Sequence, residues 1–181
     1  DFGSGWGRMM RMMLYFSDPN DVWGVDPWRR SLDVCAADGV LGHLRQSEYL
    51  PTTLPVEGEF DLIIAFSIFT HTSEDATRTA LTALRRHVRP DGVLAMTIRP
   101  FEIWKLTQEF NPNFPRERME AEHQGRGFAF TPQQVDGNNE TYGETSMMLD
   151  WLADPPKGWA VVGHDISLED PYQVVVLLQP S

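Results

Sequence analysis

Three glycines at alternate positions, Gly3, Gly5 and Gly7 in DFGSGWGR, strip the side-chain wall from a short run of backbone. A small ligand can lie against the bare peptide groups of such a run. Flexible glycine-rich segments are polar, whereas MMRMMLYF follows at once here, and that is material that packs. Two more residues carry chemistry by type and place. Asp26 ends the short apolar stretch DVWGVD, at the carboxyl end of a strand, where it can also cap the next helix. His71, in FTHTSE, can act near neutral pH as a base or orient a bound molecule, and its competing role is capping or packing at a helix start.

Other chemistries find no pattern. His43, His71, His87, His123 and His164 are scattered, and without HExxH or a histidine-cysteine spacing no metal centre is expected. Gly3-Ser4-Gly5 lacks the spacing of a nucleophile elbow. A dinucleotide-binding loop wants its third glycine where Arg8 stands, which counts against a nicotinamide cofactor.

The chain has 181 residues, 41% of them hydrophobic, enough for one domain with a real core. Its formal net charge of −11 repels phosphate backbones and anionic membranes, so neither nucleic acid nor a membrane is an expected partner. Cys35 is the single cysteine, and no basic-then-apolar leader or long apolar segment appears, which points to the cytoplasm. The sequon at Asn139 reads as chance in that setting.

These residues must be positioned by regular elements. Arg8–Phe16 reads as a short buried helix with methionines as core filler, and PWRRSLDVCAAD as a helix with Pro27 in its first turn. HLRQSE is the weakest strand of the pattern. EFDLIIAFSIF is nearly all apolar, as a central strand buried on both faces would be. Thr72 or Ser73 caps the following helix, and Pro90-Asp91-Gly92 turns the chain into the strand VLAMTI. Arg99 to about Gly143 is irregular and reads as an inserted loop, a lid or plain surface. ETSMMLDWLAD resumes helical spacing before two last strands. Alternating strands and helices define an α/β fold with a mostly parallel sheet and helices on both faces.

DFGSGWGR resembles the first motif of class I S-adenosylmethionine-dependent methyltransferases. GVDPW is similar to that family's second motif, EFDLIIAFSIFTHTSE to its fourth-strand motif, and LRRHVRPDGVLAMTI to its helix, turn and fifth strand, in the family's order. YQVVVLLQP resembles the closing antiparallel strand. The resemblance implies a Rossmann-like, seven-stranded sheet with an antiparallel strand near one edge, and a first strand lying ahead of Asp1. It implies one domain over residues 1–181, with the insertion at about 99–143 covering the acceptor site.

The implied cofactor is S-adenosylmethionine. Gly3 and Gly5 would underlie its methionine part, edged by Ser4 and Trp6, with Gly7 completing the motif and Asp1 holding the loop or the ammonium. Asp26 would accept the ribose hydroxyls and Pro27 would touch the adenine face. Glu48 would meet the adenine amino group, with Tyr49 and the local backbone as alternatives. Ser67 and Ile68 would lie below the sulfonium. His71 is the catalytic candidate, beside an apolar wall from Phe110, Phe114, Phe128, Phe130 and Tyr142. The expected reaction is methyl transfer to a small molecule; a non-catalytic cofactor-binding domain and a nicotinamide-dependent oxidoreductase are the alternatives.

Overall fold

The computed structural model describes residues 1–133, 141–153 and 158–181, so the Asn139 sequon lies outside the described residues. After the glycine loop come α1 (Arg8–Met13), β1 (Trp23–Asp26), α2 (Arg29–Ala37), β2 (His43–Gln46), β3 (Phe60–Ala65), α3 (Glu74–Arg85) and β4 (Val88–Ile98). Then follow α4 (Ile103–Phe110), α5 (Arg116–Arg126), β5 (Phe128–Pro132), β6 (Gly143–Met147), α6 (Leu149–Leu152), β7 (Trp159–Ile166) and β8 (Val174–Pro180).

β1 pairs with β2 in parallel, and β3, β4, β8 and β7 lie side by side in that order. β3 and β4 are parallel, whereas β8 is antiparallel to both its neighbours, the strand expected near one edge. The described strands do not form the single continuous sheet expected. Instead the backbone of Asp1–Gly3 lies between the two sets and bonds to both. Phe2 N–H donates to Ile64 O at 2.8 Å, Val25 N–H to Asp1 O at 2.9 Å and Gly3 N–H to Val25 O at 2.8 Å. Toward the amino ends of β1 and β3 the same seam opens into a cavity of about 660 Å³ lined by Trp23, Val25, Leu62 and Ile63 among others. β3 is therefore buried only in its second half, with Asp61 and Leu62 exposed.

The main core gathers Leu94 and Met96 of β4, Val176 and Leu178 of β8, and Leu81 and Leu84 of α3. Ser73, rather than Thr72, caps α3, its hydroxyl accepting from Ala76 N–H at 3.3 Å. Glu74 and Asp75 in the first turn and Arg85 in the last suit the helix dipole. In α1 the filler reading holds only for Met10, which is fully buried; Met12 is exposed, because so short a helix covers the sheet with one face. Pro27 lies ahead of α2, whose cap position is Trp28, and Pro90–Gly92 run within β4. Among the described residues no helix is long and apolar enough to cross a membrane.

The described part of the stretch read as a loop instead holds α4, α5 and β5, and its last residue, Gly143, opens β6. α5 has no apolar period to betray it, but Arg116–Glu120 and Arg118–Glu122 pairs brace its surface while Met119 and His123 are buried. Ile103, Trp104, Phe114, Met119 and Ala129 form a second small core. β6 takes the first half of the segment read as helical, since pairing with β5 from Phe128↔Met147 to Pro132↔Gly143 overrides its local spacing.

Trp104 Nε1 donates to Ser146 Oγ at 2.8 Å, and His123 Nδ1 lies 2.8 Å from the same oxygen. Burial pushes the His123 pKa below its usual 6.5, against an opposing pull from Glu102. Unfolding therefore takes up a proton at mildly acidic pH. The histidine's contribution is complete above about pH 6.5 and lost as pH falls through that value toward the lower folded pKa. Urea midpoints should accordingly drop between pH 7 and pH 5.5, and His123→Gln should flatten that dependence.

Candidate active site

The glycine loop leaves the seam between β1 and β3 with φ of 75° at Gly3, 52° at Gly5 and 81° at Gly7, the last being the N-cap of α1. Side chains are disfavoured in that conformation by about 1–2 kcal/mol per residue. The three glycines differ in what surrounds them. A Cβ on Gly3 would meet Ile68 Cδ1 at 2.0 Å, and one on Gly7 would crowd Val40 and Cys35, whereas one on Gly5 would meet nothing within 4 Å. Gly3 and Gly7 serve packing. Gly5 fronts open space on one side, while its carbonyl accepts at 3.2 Å from the Cys35 thiol, whose pKa burial pushes up.

Asp26, only 8% exposed, clamps this loop. Its Oδ2 accepts from Gly5 N–H and its Oδ1 from Trp28 N–H, both at 2.8 Å, so it joins the loop to the start of α2. Each oxygen keeps a spare lone pair. Pro27 is half-buried beside it, its carbonyl accepting from Gln46 Nε2 at 3.0 Å. Ser47 N–H donates to Asp26 O at 3.2 Å, which leaves the exposed Glu48 just past the ends of β1 and β2. Trp6 is exposed on the loop. Asp1 Oδ2 and Ser4 Oγ are buried without a partner among the described residues, two polar atoms awaiting a donor or acceptor.

Past β3 the chain turns through Ser67, whose φ of 59° is the one left-handed value outside glycine among the described residues. Ile68 then packs on Gly3, which brings Ser67 to the glycine loop. Four residues on, His71 belongs to a polar group that also contains Arg99, Tyr142 and Glu144. Arg99 ion-pairs with Glu144, its Nη2 donates to His71 Nε2 at 3.3 Å, and the His71 ring stacks on Tyr142 at 5.3 Å. Since arginine only donates, His71 Nε2 is the acceptor, and the Nδ1 proton is shared between Gly143 O at 2.9 Å and Glu144 Oε1 at 3.4 Å. Burial alone would raise the Glu144 pKa, but the hydrogen bond from His71 and the charge of Arg99 outweigh it and hold the carboxyl below its usual value.

The expected aromatic wall does not assemble. Phe110 is exposed, Phe114 lies in the second core on Trp104, and Phe128 packs on Trp151 in the main core. Phe130 is partly buried against the main core, and Tyr142 reaches His71. Arg99 and Glu144 escaped the sequence reading because they adjoin His71 only through the hairpin's docking; the end of β4 was the one available signal for Arg99.

Residues 1–92 match the family described as a methyltransferase domain, about half of the chain. Solved structures agree in fold. A S-adenosylmethionine-dependent methyltransferase from Clostridium acetobutylicum is 13% identical with a TM-score of 0.65, the match covering 100% of this chain and 82% of that one. The glycopeptide N-methyltransferase MtfA in complex with sinefungin is 12% identical with a TM-score of 0.65, covering 99% and 85%. Magnesium protoporphyrin IX methyltransferase from Synechocystis, with bound S-adenosylhomocysteine, is 11% identical with a TM-score of 0.66, covering 100% and 73%. No curated protein sequence matches the chain significantly. The chain belongs to the methyltransferase-domain family, in its class I, S-adenosylmethionine-dependent branch. It is a methyltransferase whose methyl donor is S-adenosylmethionine. The open face of Gly5 and the spare lone pairs of Asp26 suit that donor.

Because a Cβ at Gly5 has room in the protein, Gly5→Ala should fold with a loss of about 1–2 kcal/mol from its left-handed φ. The same methyl group would stand in the open space that Gly5 fronts. Calorimetry should show S-adenosylhomocysteine affinity falling by far more than the stability loss alone accounts for.

Proposed function

We propose that this enzyme transfers the methyl group of S-adenosylmethionine to a small-molecule acceptor held over Ser67, between the glycine loop and the β5–β6 hairpin. The observation that carries the reading is the open face of Gly5, clamped from below by the Asp26 carboxylate. When bound, the cofactor supplies a methyl group already activated on a sulfonium, so the protein's task is alignment.

The backbone of Gly3 and Gly5 underlies the donor's methionine part, with Asp1 and Ser4 offering their free oxygens and Trp6 edging it. Gly7 lets α1 pack close to the loop. Asp26 uses its remaining lone pairs for the ribose hydroxyls, Pro27 faces the adenine, and Glu48 meets the adenine amino group. Ser67 lies beneath the reacting atoms. His71 acts on the acceptor side by orientation, a role supported by the engagement of both ring nitrogens by Arg99 and Gly143.

The described part of the 99–143 segment covers that acceptor side, a reading supported by the docking of β6 beside its partner β5: Gly143 N–H donates to His71 O, Thr145 N–H to Thr70 O and Met147 N–H to Arg99 O. Residues 1–181 act as one domain. The sheet is completed to seven strands by one more strand in the slot between β1 and β3, a reading supported by the cavity there. The acidic balance, −11 overall, favours a small-molecule rather than a nucleic-acid acceptor, and the single cysteine, Cys35, favours a reducing cytoplasm.

Asp26→Ala removes charge-assisted hydrogen bonds and frees the glycine loop, so calorimetry should show S-adenosylhomocysteine binding weakened by about 1.5–3 kcal/mol in a folded protein. Unchanged affinity would overturn the ribose role. Incubation with radiolabelled S-adenosylmethionine and a small-molecule panel should label one compound class. Label found only on added RNA or protein would overturn the acceptor reading.

A further inference from the structure

We propose that Gln173 is a positioning residue for the methyl donor, holding the left-handed Ser67 turn against the glycine loop; the proposal rests on the donor site described above. Serine is costly at a φ of 59°, and such a conformation persists where surrounding contacts over-determine it. The contacts are at hand. Ser67 N–H donates to Thr97 Oγ1 at 2.7 Å, Ser67 Oγ lies 3.4 Å from Thr70 Oγ1, and Gln173 Nε2 donates to Ser67 Oγ at 3.3 Å. Thr97 belongs to β4, and Gln173 immediately precedes β8, whose Val174 is in register with Ile98. Two adjacent strands therefore grip one residue.

What the grip controls is the next residue. Ile68 occupies the space a Cβ on Gly3 would fill, at 2.0 Å, so the position of the Ser67 turn sets how tightly Ile68 presses on the glycine loop. The other end of the Gln173 amide is buried without a partner among the described residues. A half-satisfied buried amide is a poor way to stabilise a strand end, where an apolar side chain of similar size would do better. Its single bond to Ser67 is what the residue contributes.

The test uses the full chain and S-adenosylhomocysteine as the probe, with affinities from calorimetry and thermal midpoints as a control for folding. Gln173→Met should weaken binding about three- to tenfold, one hydrogen bond's worth, while the thermal midpoint moves by no more than a few degrees. Gln173→Glu loses the Nε2 donor but offers a carboxylate oxygen to which the Ser67 hydroxyl can donate once it rotates, so it should retain more affinity than Gln173→Met. Ser67→Gly tolerates the positive φ without the tether, so adding Gln173→Met to it should cost less than about twofold more. Parent-like affinity in Gln173→Met, or an equal penalty in the Ser67→Gly background, would overturn the proposal. Failure of the parent chain to bind the probe would instead overturn the donor site beneath it.

Discussion

Asp1–Ser4 has to satisfy the hydrogen-bonding groups of two strands at once, and the site follows from that constraint. Its peptide groups bond to Val25 on one side and Ile64 on the other, so Phe2 is held as a bridge between the two strands, with Phe2 and Ser4 buried, and the chain is aimed out at the carboxyl ends of both. There it must leave the sheet and enter α1 within a few residues, which requires the run of positive φ values at Gly3, Gly5 and Gly7. Asp26 is already at the end of β1 in that geometry, where its carboxylate takes the Gly5 N–H. The ligand-facing backbone and the residue that clamps it are products of one crossing.

The acceptor side depends on a second docking. β6 lies along Thr70–Ser73 and reaches Arg99, so the backbone groups that face away from β5 are paired with the turns that end β3 and β4. Burial of Arg99 and Glu144 there would be costly for either alone, and their ion pair, with His71 between them and the Gly143 carbonyl, offsets it. The His71 hydrogen bond and the Arg99 charge together hold the Glu144 pKa below its usual value, against the upward pull of burial. A carboxylate stabilised in the folded state supports folding above its ordinary pKa and loses that support as pH falls below it.

Amino-acid order alone was enough for the glycine loop, the Asp26 strand end, the Ser73 cap as one of two choices, the helices α1, α2 and α3, and the strands β1, β2, β3, β4, β7 and β8, because these are local matters. Glycine spacing sets backbone freedom, and apolar runs of the right length demand burial whatever their neighbours. Tertiary structure decided the rest. α5 has no apolar face to read, β6 is a strand only because β5 lies beside it, and the aromatics of the 99–143 segment separate into different cores through contacts distant in sequence. Likewise Arg99, Glu144 and Gln173 join the site through pairings across 28 to 106 positions of chain, and hydrogen bonds of that reach leave no periodic trace in the order of residues.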